Sequence, residues 1–339
     1  MHPLVMELKS PQELPVAAMQ ACLAEIDTVA PELLAAVERF AAGNLDREDY
    51  DLVFLGLHVV AAAREPRLWP LLPRVIRRPD DELHDVLGES RPDNLGKIIV
   101  NVWDGDVDAL WDMVCDRSIY DGDRLIVWCV LAFLTWEGRI APEVTRGLLA
   151  RHDLERPVAE GDLGWVGWGQ CVELLGWQEL VPMVERAYQD GRMPWDFTRI
   201  DDLTLGLAQT AAAAVDDASR FRDGGVGYLG DLSTELADYL FGAERDAPPP
   251  PRDPGIERVR ASNGYRRACR HRSRASPNGR LRRRDRRTGM SDAMIRAPAA
   301  AARNTRSAAW RPDGATRLTP PPASPPAPAW PGSPARRSP

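Results

Sequence analysis

From Pro31 to Leu240 the apolar side chains recur at three- and four-residue intervals, and no run alternates apolar with polar residues between turns. Leu33, Leu34, Val37, Phe40 and Ala41 show the pattern. Spaced in this way they fall on one stripe of a helix, whereas a strand would divide them between two faces. That feature confines the body of the chain to an all-α fold. A helix is expected over 31–42, stopped by Gly43-Asn44, and another from Asp46, where Asp46, Glu48 and Asp49 suit the positive end of a helix dipole. Ser10-Pro11-Gln12-Glu13 has the form of a capping box and predicts an earlier helix beginning at Pro11. Further helices are expected over about 66–77, 81–88, 92–103, 106–116, 122–137, 142–151, 163–176, 178–189, 200–218 and 230–241.

The longest apolar run, Leu125 to Leu134, is ten residues. A membrane span needs about 20, so this stretch predicts a helix buried on all sides and no membrane association. Met1 to Glu7 has neither a basic segment nor a long apolar one, and no secretory leader is expected. Cys22, Cys115, Cys129, Cys171 and Cys269 are scattered and odd in number, which suits reduced thiols in a cytoplasmic protein.

Charge divides the chain in two. Residues 1–246 carry 22 basic and 45 acidic side chains, a net of −23, while residues 247–339 carry 21 arginines, no lysine and five acids, a net of +16. The second segment also holds 17 of the 30 prolines and only five Leu, Ile, Val or Phe. So few apolar groups cannot offset a backbone ordering cost of about 1–2 kcal/mol per residue. The expected organisation is an acidic all-α domain over 1–246 and a disordered, basic, low-complexity tail over 247–339.

The helices also repeat. Leu68-Trp69-Pro70-Leu71-Leu72-Pro73-Arg74-Val75 can be laid on Leu180-Val181-Pro182-Met183-Val184-Glu185-Arg186-Ala187 with proline and arginine in register. Ala109-Leu110-Trp111-Asp112-Met113-Val114 fits the same frame 42 residues after Leu68-Trp69. Glu137-Gly138-Arg139-Ile140 is echoed by Asp190-Gly191-Arg192-Met193, each with a proline soon after. A step of this length lies in the HEAT/armadillo range, and helix pairs stacked into an α-solenoid account for it. A bundle without repeat symmetry is the other arrangement these few, degenerate repeats allow.

Across about Pro31 to Tyr239 the chain resembles a bacterial family, domain of unknown function 1186, of HEAT-like helical character. The resemblance rests on Arg64-Glu65-Pro66-Arg67-Leu68-Trp69-Pro70-Leu71-Leu72, Asp80-Asp81-Glu82-Leu83 with Leu87-Gly88, Asn94-Leu95-Gly96-Lys97-Ile98-Ile99 with Asp104-Gly105-Asp106, and Glu137-Gly138-Arg139-Ile140. These are helix-packing motifs, so the resemblance implies a fold and not a reaction. Members of that family often end in a cysteine-rich SEC-C metal-binding motif. Here Cys269 is the only cysteine of the tail, so the resemblance carries over no metal site.

Motifs of known chemistry are incomplete. Gly225-Val226-Gly227-Tyr228-Leu229-Gly230 fits G-x-G-x-x-G, but polar residues following a helix precede it where a dinucleotide site requires a strand. It is expected to be a flexible loop between helices. Asp104-Gly105-Asp106-Val107-Asp108 opens like a calcium loop, yet Ala109 and Cys115 stand where glycine and a bidentate glutamate are required. Asp106 and Asp108 suit the start of a helix instead. His58, His84 and His152 are isolated, and no zinc-hydrolase or nucleophile-elbow motif is present. No cofactor, metal or catalytic residue is expected.

Nine tryptophans lie in the body, and Trp165-Val166-Gly167-Trp168-Gly169 crowds aromatic surface against glycine. The functional expectation is a non-catalytic scaffold that binds a protein or peptide through an acidic, Trp-bearing surface, with Trp165, Trp168, Asp104, Asp106 and Asp108 as candidate contacts. One alternative is nucleic-acid association through Arg280, Arg282, Arg283, Arg284, Arg286 and Arg287 in the tail. Against it, the Arg, Pro, Ala, Gly and Ser content of that tail is what a GC-rich gene yields when read out of frame. A second alternative is a helical enzyme with a carboxylate site, which needs two carboxyls of separated pKa in a dry cleft.

Overall fold

The computed structural model describes residues 1–237 with the exception of Asp196. Fifteen α-helices lie among them: α1 (Pro3–Glu7), α2 (Val16–Ala24), α3 (Ile26–Ala41), α4 (Tyr50–Ala62), α5 (Leu72–Ile76), α6 (Asp80–Leu87), α7 (Arg91–Val102), α8 (Val107–Cys115), α9 (Asp121–Trp136), α10 (Pro142–Glu155), α11 (Leu163–Leu175), α12 (Val181–Gln189), α13 (Ile200–Ala212), α14 (Ser219–Asp223) and α15 (Leu232–Glu235). The described residues contain no strand, so the fold is all-α. None of their helices is long and apolar enough to cross a membrane. The tail expected over 247–339 lies outside the described residues.

Neighbouring helices pair antiparallel. Gly56 of α4 faces Leu33 of α3, while Tyr50 meets Phe40 edge to face at 6.1 Å. Thr135 of α9 shares a 2.6 Å hydrogen bond with Thr145 of α10, and Trp128 lies 5.3 Å from His152. Gly169 of α11 meets Val184 of α12, and beyond α12 Arg192 turns back over Trp165.

Between pairs the order is parallel. Arg91 at the start of α7 holds Asp123 at the start of α9, and Arg139 just past α9 donates to the Val100 and Trp103 carbonyls at the end of α7, at 3.1 and 2.9 Å. Arg124 of α9 pairs with Asp162, the residue that caps α11, and Cys129 reaches Gln170 at 3.4 Å. Farther along, Glu173 of α11 lies against Gly206 of α13, and Gly176 against Thr210. Helices α7, α9, α11 and α13 thus form a row with a common direction.

The α7–α9 and α9–α11 joints each pair a buried arginine with a carboxylate at their amino ends. Arg91 and Asp123 are 6% and 1% exposed, and Arg124 is 3% exposed. Burial of such charges is tolerated only when their hydrogen-bonding groups find partners. Arg91 also reaches Asp80 at 2.6 Å and lies over the Tyr120 ring, while Arg124 donates to the carbonyls of Asp116 and Ile119. The apolar run 125–134 lies within α9, buried along its whole length between α7 and α11.

Several expected boundaries move. The capping box at Ser10 does not form, because Pro15 would clash with the carbonyl four residues before it in a helix begun at Pro11. Ser10 instead sits at φ +52° with its hydroxyl donating to the Glu48 carbonyl, and the helix starts at Val16. Helix α3 begins five residues before Pro31, since Val29 and Ala30 already belong to the buried face. The helix expected over 200–218 stops at Ala212, and that over 178–189 opens with a 3-10 turn. Over 230–241, the described part is the single turn of α15.

Candidate functional site

The expected contact residues separate by burial. Asp104, Asp106 and Asp108 are exposed. Asp106 accepts from the Ala109 N–H at 3.0 Å and caps α8, while Asp104 accepts from the Asp106 N–H at 3.0 Å. Trp165 and Trp168 are 1% and 0% exposed, so no partner reaches either ring without opening the α10–α11 packing. Trp69, Trp103, Trp111 and Trp128 are buried as well, and Trp195 is the large exposed ring at 83%. The surface is therefore acidic but does not carry most of the tryptophans. Arg280, Arg282, Arg283, Arg284, Arg286 and Arg287 lie outside the described residues.

What the tryptophans surround is His152. Its ring lies 4.4 Å from Trp165 and 5.3 Å from Trp128, with Trp168 and Trp111 at 6.3 and 6.4 Å. Trp168 donates to the Leu149 carbonyl and Trp165 to that of Ala159, but both His152 nitrogens and the Trp128 N–H lack partners. Burial, reinforced by the positive charges of Arg192 and Arg124, lowers the His152 pKa to about 3. The imidazole is neutral and serves as a packing element. His58 in α4 is likewise buried, its Nδ1 bonded to the Phe54 carbonyl at 2.7 Å, and desolvation lowers its pKa to about 4.

One carboxyl has the perturbation an acid/base group would need. Glu173 lies where a side chain at Gly206 would stand, and burial, followed by the nearby Asp202 charge, raises its pKa to about 7. Among the described residues no group of three His, Cys, Asp or Glu side chains converges in a way that could hold a metal.

The segment after α13 builds a different kind of site. Residues 213–237 turn back over the row and form a strap. The Trp136 indole donates to the Val215 carbonyl at 2.9 Å, and Phe221 packs 5.4 Å from Phe133 and 5.3 Å from Trp136. At Gly225, with φ +73°, the backbone lies so close to the Pro92 carbonyl and Asp93 that no Cβ fits, while Gly96 of α7 leaves room for the Gly225 carbonyl and Val226. Tyr228 donates to Glu137 at 2.7 Å and lies under the Arg64 guanidinium. Helix α15 then reaches α2 and α4, and Glu235 pairs with Lys97 of α7.

Phe133 of α9 and Glu137, which caps its end, face the strap and lie across the helix from Trp128 and Thr135, which face α10. The strap thus covers the side of the row that the partner helices leave free. The glycine motif at 225–230, expected to be a flexible loop, is docked. Val226 is 0% exposed, and the glycine at 225 serves close backbone approach. Phe221, Val226 and Tyr228 escaped the sequence reading because they stand in no periodic pattern. The paired glycines Gly96 and Gly225 were the available signal.

No curated protein and no solved structure matches the chain. Residues 3–146, from α1 into the first turn of α10, match the model of a family described as protein of unknown function (DUF1186). The segments at 64–72, 80–88, 94–106 and 137–140 all fall inside that match.

Proposed function

We propose that the protein is a non-catalytic scaffold with HEAT-like helix stacking, and that it binds an extended protein or peptide segment on the face formed by α4, α7 and α9. The observation that carries this reading is the strap: a poorly helical stretch lies on that face, anchored by isolated apolar side chains and a few polar clasps. Recognition of extended segments by helical arrays uses the same division between buried anchors and polar rim. Acidic side chains elsewhere on the surface, Asp104, Asp106 and Asp108 among them, favour a partner with basic flanks.

Photoreactive side chains placed singly at Arg64, Glu137, Asp108 and Asp112 of the full chain carrying Gly225→Ala, which pushes the strap off Pro92 and uncovers the face, test the location. With a random peptide library, adducts are expected at 64 and 137 and not at 108 or 112. Equal labelling at all four positions, or labelling confined to α8, sinks the proposal.

A further inference from the structure

The strap has the contact pattern of a bound peptide. Helices α7, α9, α11 and α13 are 12 to 16 residues long and bury helix against helix, whereas α14 and α15 are five and four residues long. Phe221, Val226, Leu232 and Leu236 are 1%, 0%, 4% and 1% exposed, while residues between them reach solvent. Isolated anchors of this kind are how interfaces concentrate their affinity. The link from α13 is itself open, with Ala214, Val215 and Asp216 exposed and Val215 at 90%. The groove also departs from the molecule's acidic character. Lys97, one of only two lysines in the chain, meets Glu235 there, and Arg64 and Arg139 stand close by over Tyr228 and Trp103.

Resting on the scaffold reading above, we infer that residues 219–236 are a displaceable occupant of that scaffold's groove, and that the partner is a peptide carrying the same pattern. The pattern is an aromatic residue, a glycine and small aliphatic residue four and five positions on, and a Leu-x-x-Glu-Leu end whose carboxylate meets Lys97. Tethering gives the strap a high effective concentration, so a partner competes only by matching the anchors or when the strap is loosened. The groove is closed by default and opens to a ligand that outcompetes a covalently attached copy of itself.

The test uses the full chain with a protease site inserted between Ala213 and Ala214. A fluorescent synthetic peptide of residues 217–237 is the probe, read by anisotropy before and after cleavage, with circular dichroism as the control for folding. Cleavage is expected to leave the helical signal intact and to increase probe affinity at least tenfold. An unlabelled peptide with Phe221→Ala and Glu235→Ala is expected not to compete, and Lys97→Glu in the cleaved protein is expected to reduce probe binding. Gly225→Ala in the uncut chain, which pushes the strap off Pro92, is expected to raise probe uptake without cleavage.

Loss of the helical signal after cleavage makes the strap an element of the fold and overturns the inference. So does a cleaved strap that stays in place and never exchanges, and both results leave the scaffold reading to the cross-linking assay. A chain that stays folded, releases its fragment and still binds no probe removes the groove itself, and the scaffold reading fails with it. A concentration-dependent dimer of the uncut chain with exchanged straps assigns the groove to a second copy and overturns the partner peptide.

Discussion

Gly167 of α11 rests on the backbone of Leu125 in α9: a Cβ at 167 would stand 2.6 Å from the Leu125 Cα and 2.7 Å from its carbonyl oxygen. Neither atom can move without shifting a whole helix. Gly167→Ala is therefore expected to destabilise the protein by about 1–3 kcal/mol through overpacking. Gly147→Ala, at a helical position with nothing within 4 Å, is the control and is expected to be neutral or slightly stabilising. Urea denaturation of the two variants decides the point, and equal midpoints would contradict the close crossing.

The Arg91–Asp123 pair predicts strong non-additivity. Arg91→Met leaves the Asp123 carboxylate buried without its partner and is expected to cost about 3–5 kcal/mol. Adding Asp123→Leu removes the stranded charge, so the double variant is expected to lose markedly less than the sum of the single losses. A double-mutant cycle by chemical denaturation measures this, and simple additivity would mean the pair is not coupled.

Stability depends on pH through three groups, two histidines opposed by one carboxyl. For His152 the unfolded ring takes its proton near 6.5 and the folded ring only near about 3, so stability is lost as pH falls through that window. His58, lowered to about 4, acts in the same direction. For Glu173 the unfolded carboxyl releases its proton near 4.5 and the folded one near about 7, so stability is lost as pH rises between those values. Relative to the parent, Glu173→Gln is expected to gain stability as pH rises from 4.5 to about 7, and His152→Phe as pH falls from 6.5 toward about 3. The windows overlap, so the difference in urea midpoint between each variant and the parent, followed across pH, isolates each slope.

The tail can be tested in the gene. If residues after about Ala247 come from an out-of-frame reading, the third-position GC bias of the codons is expected to shift frame near that junction. An unbroken in-frame bias through Arg337 would show a genuine basic tail and restore its arginines as candidates for nucleic-acid binding.

Packing was legible in the sequence where one residue type had one use. The echo of Glu137-Gly138-Arg139-Ile140 in Asp190-Gly191-Arg192-Met193 marks two equivalent helix ends. Gly138 and Gly191 lie at φ +75° and +74°, Arg139 and Arg192 each cover a tryptophan ring, and Ile140 and Met193 are buried. Tryptophan was ambiguous because a large ring serves an interface and a core equally well. The glycine between Trp165 and Trp168, which suggested a contact point beside them, instead serves the close approach of α11 to α9. The strap was hidden for a different reason. Its anchors are spaced by the geometry of the surface they cross and not by any period of their own.

Asp123 and Arg124 are adjacent in sequence yet face opposite ways, the acid toward the helix before and the base toward the helix after. Each end of the joint is therefore polarised like a plug and socket. At both joints the earlier helix supplies the base and the later one the acid, so the direction of the row is written in its buried charges as well as in its helix axes.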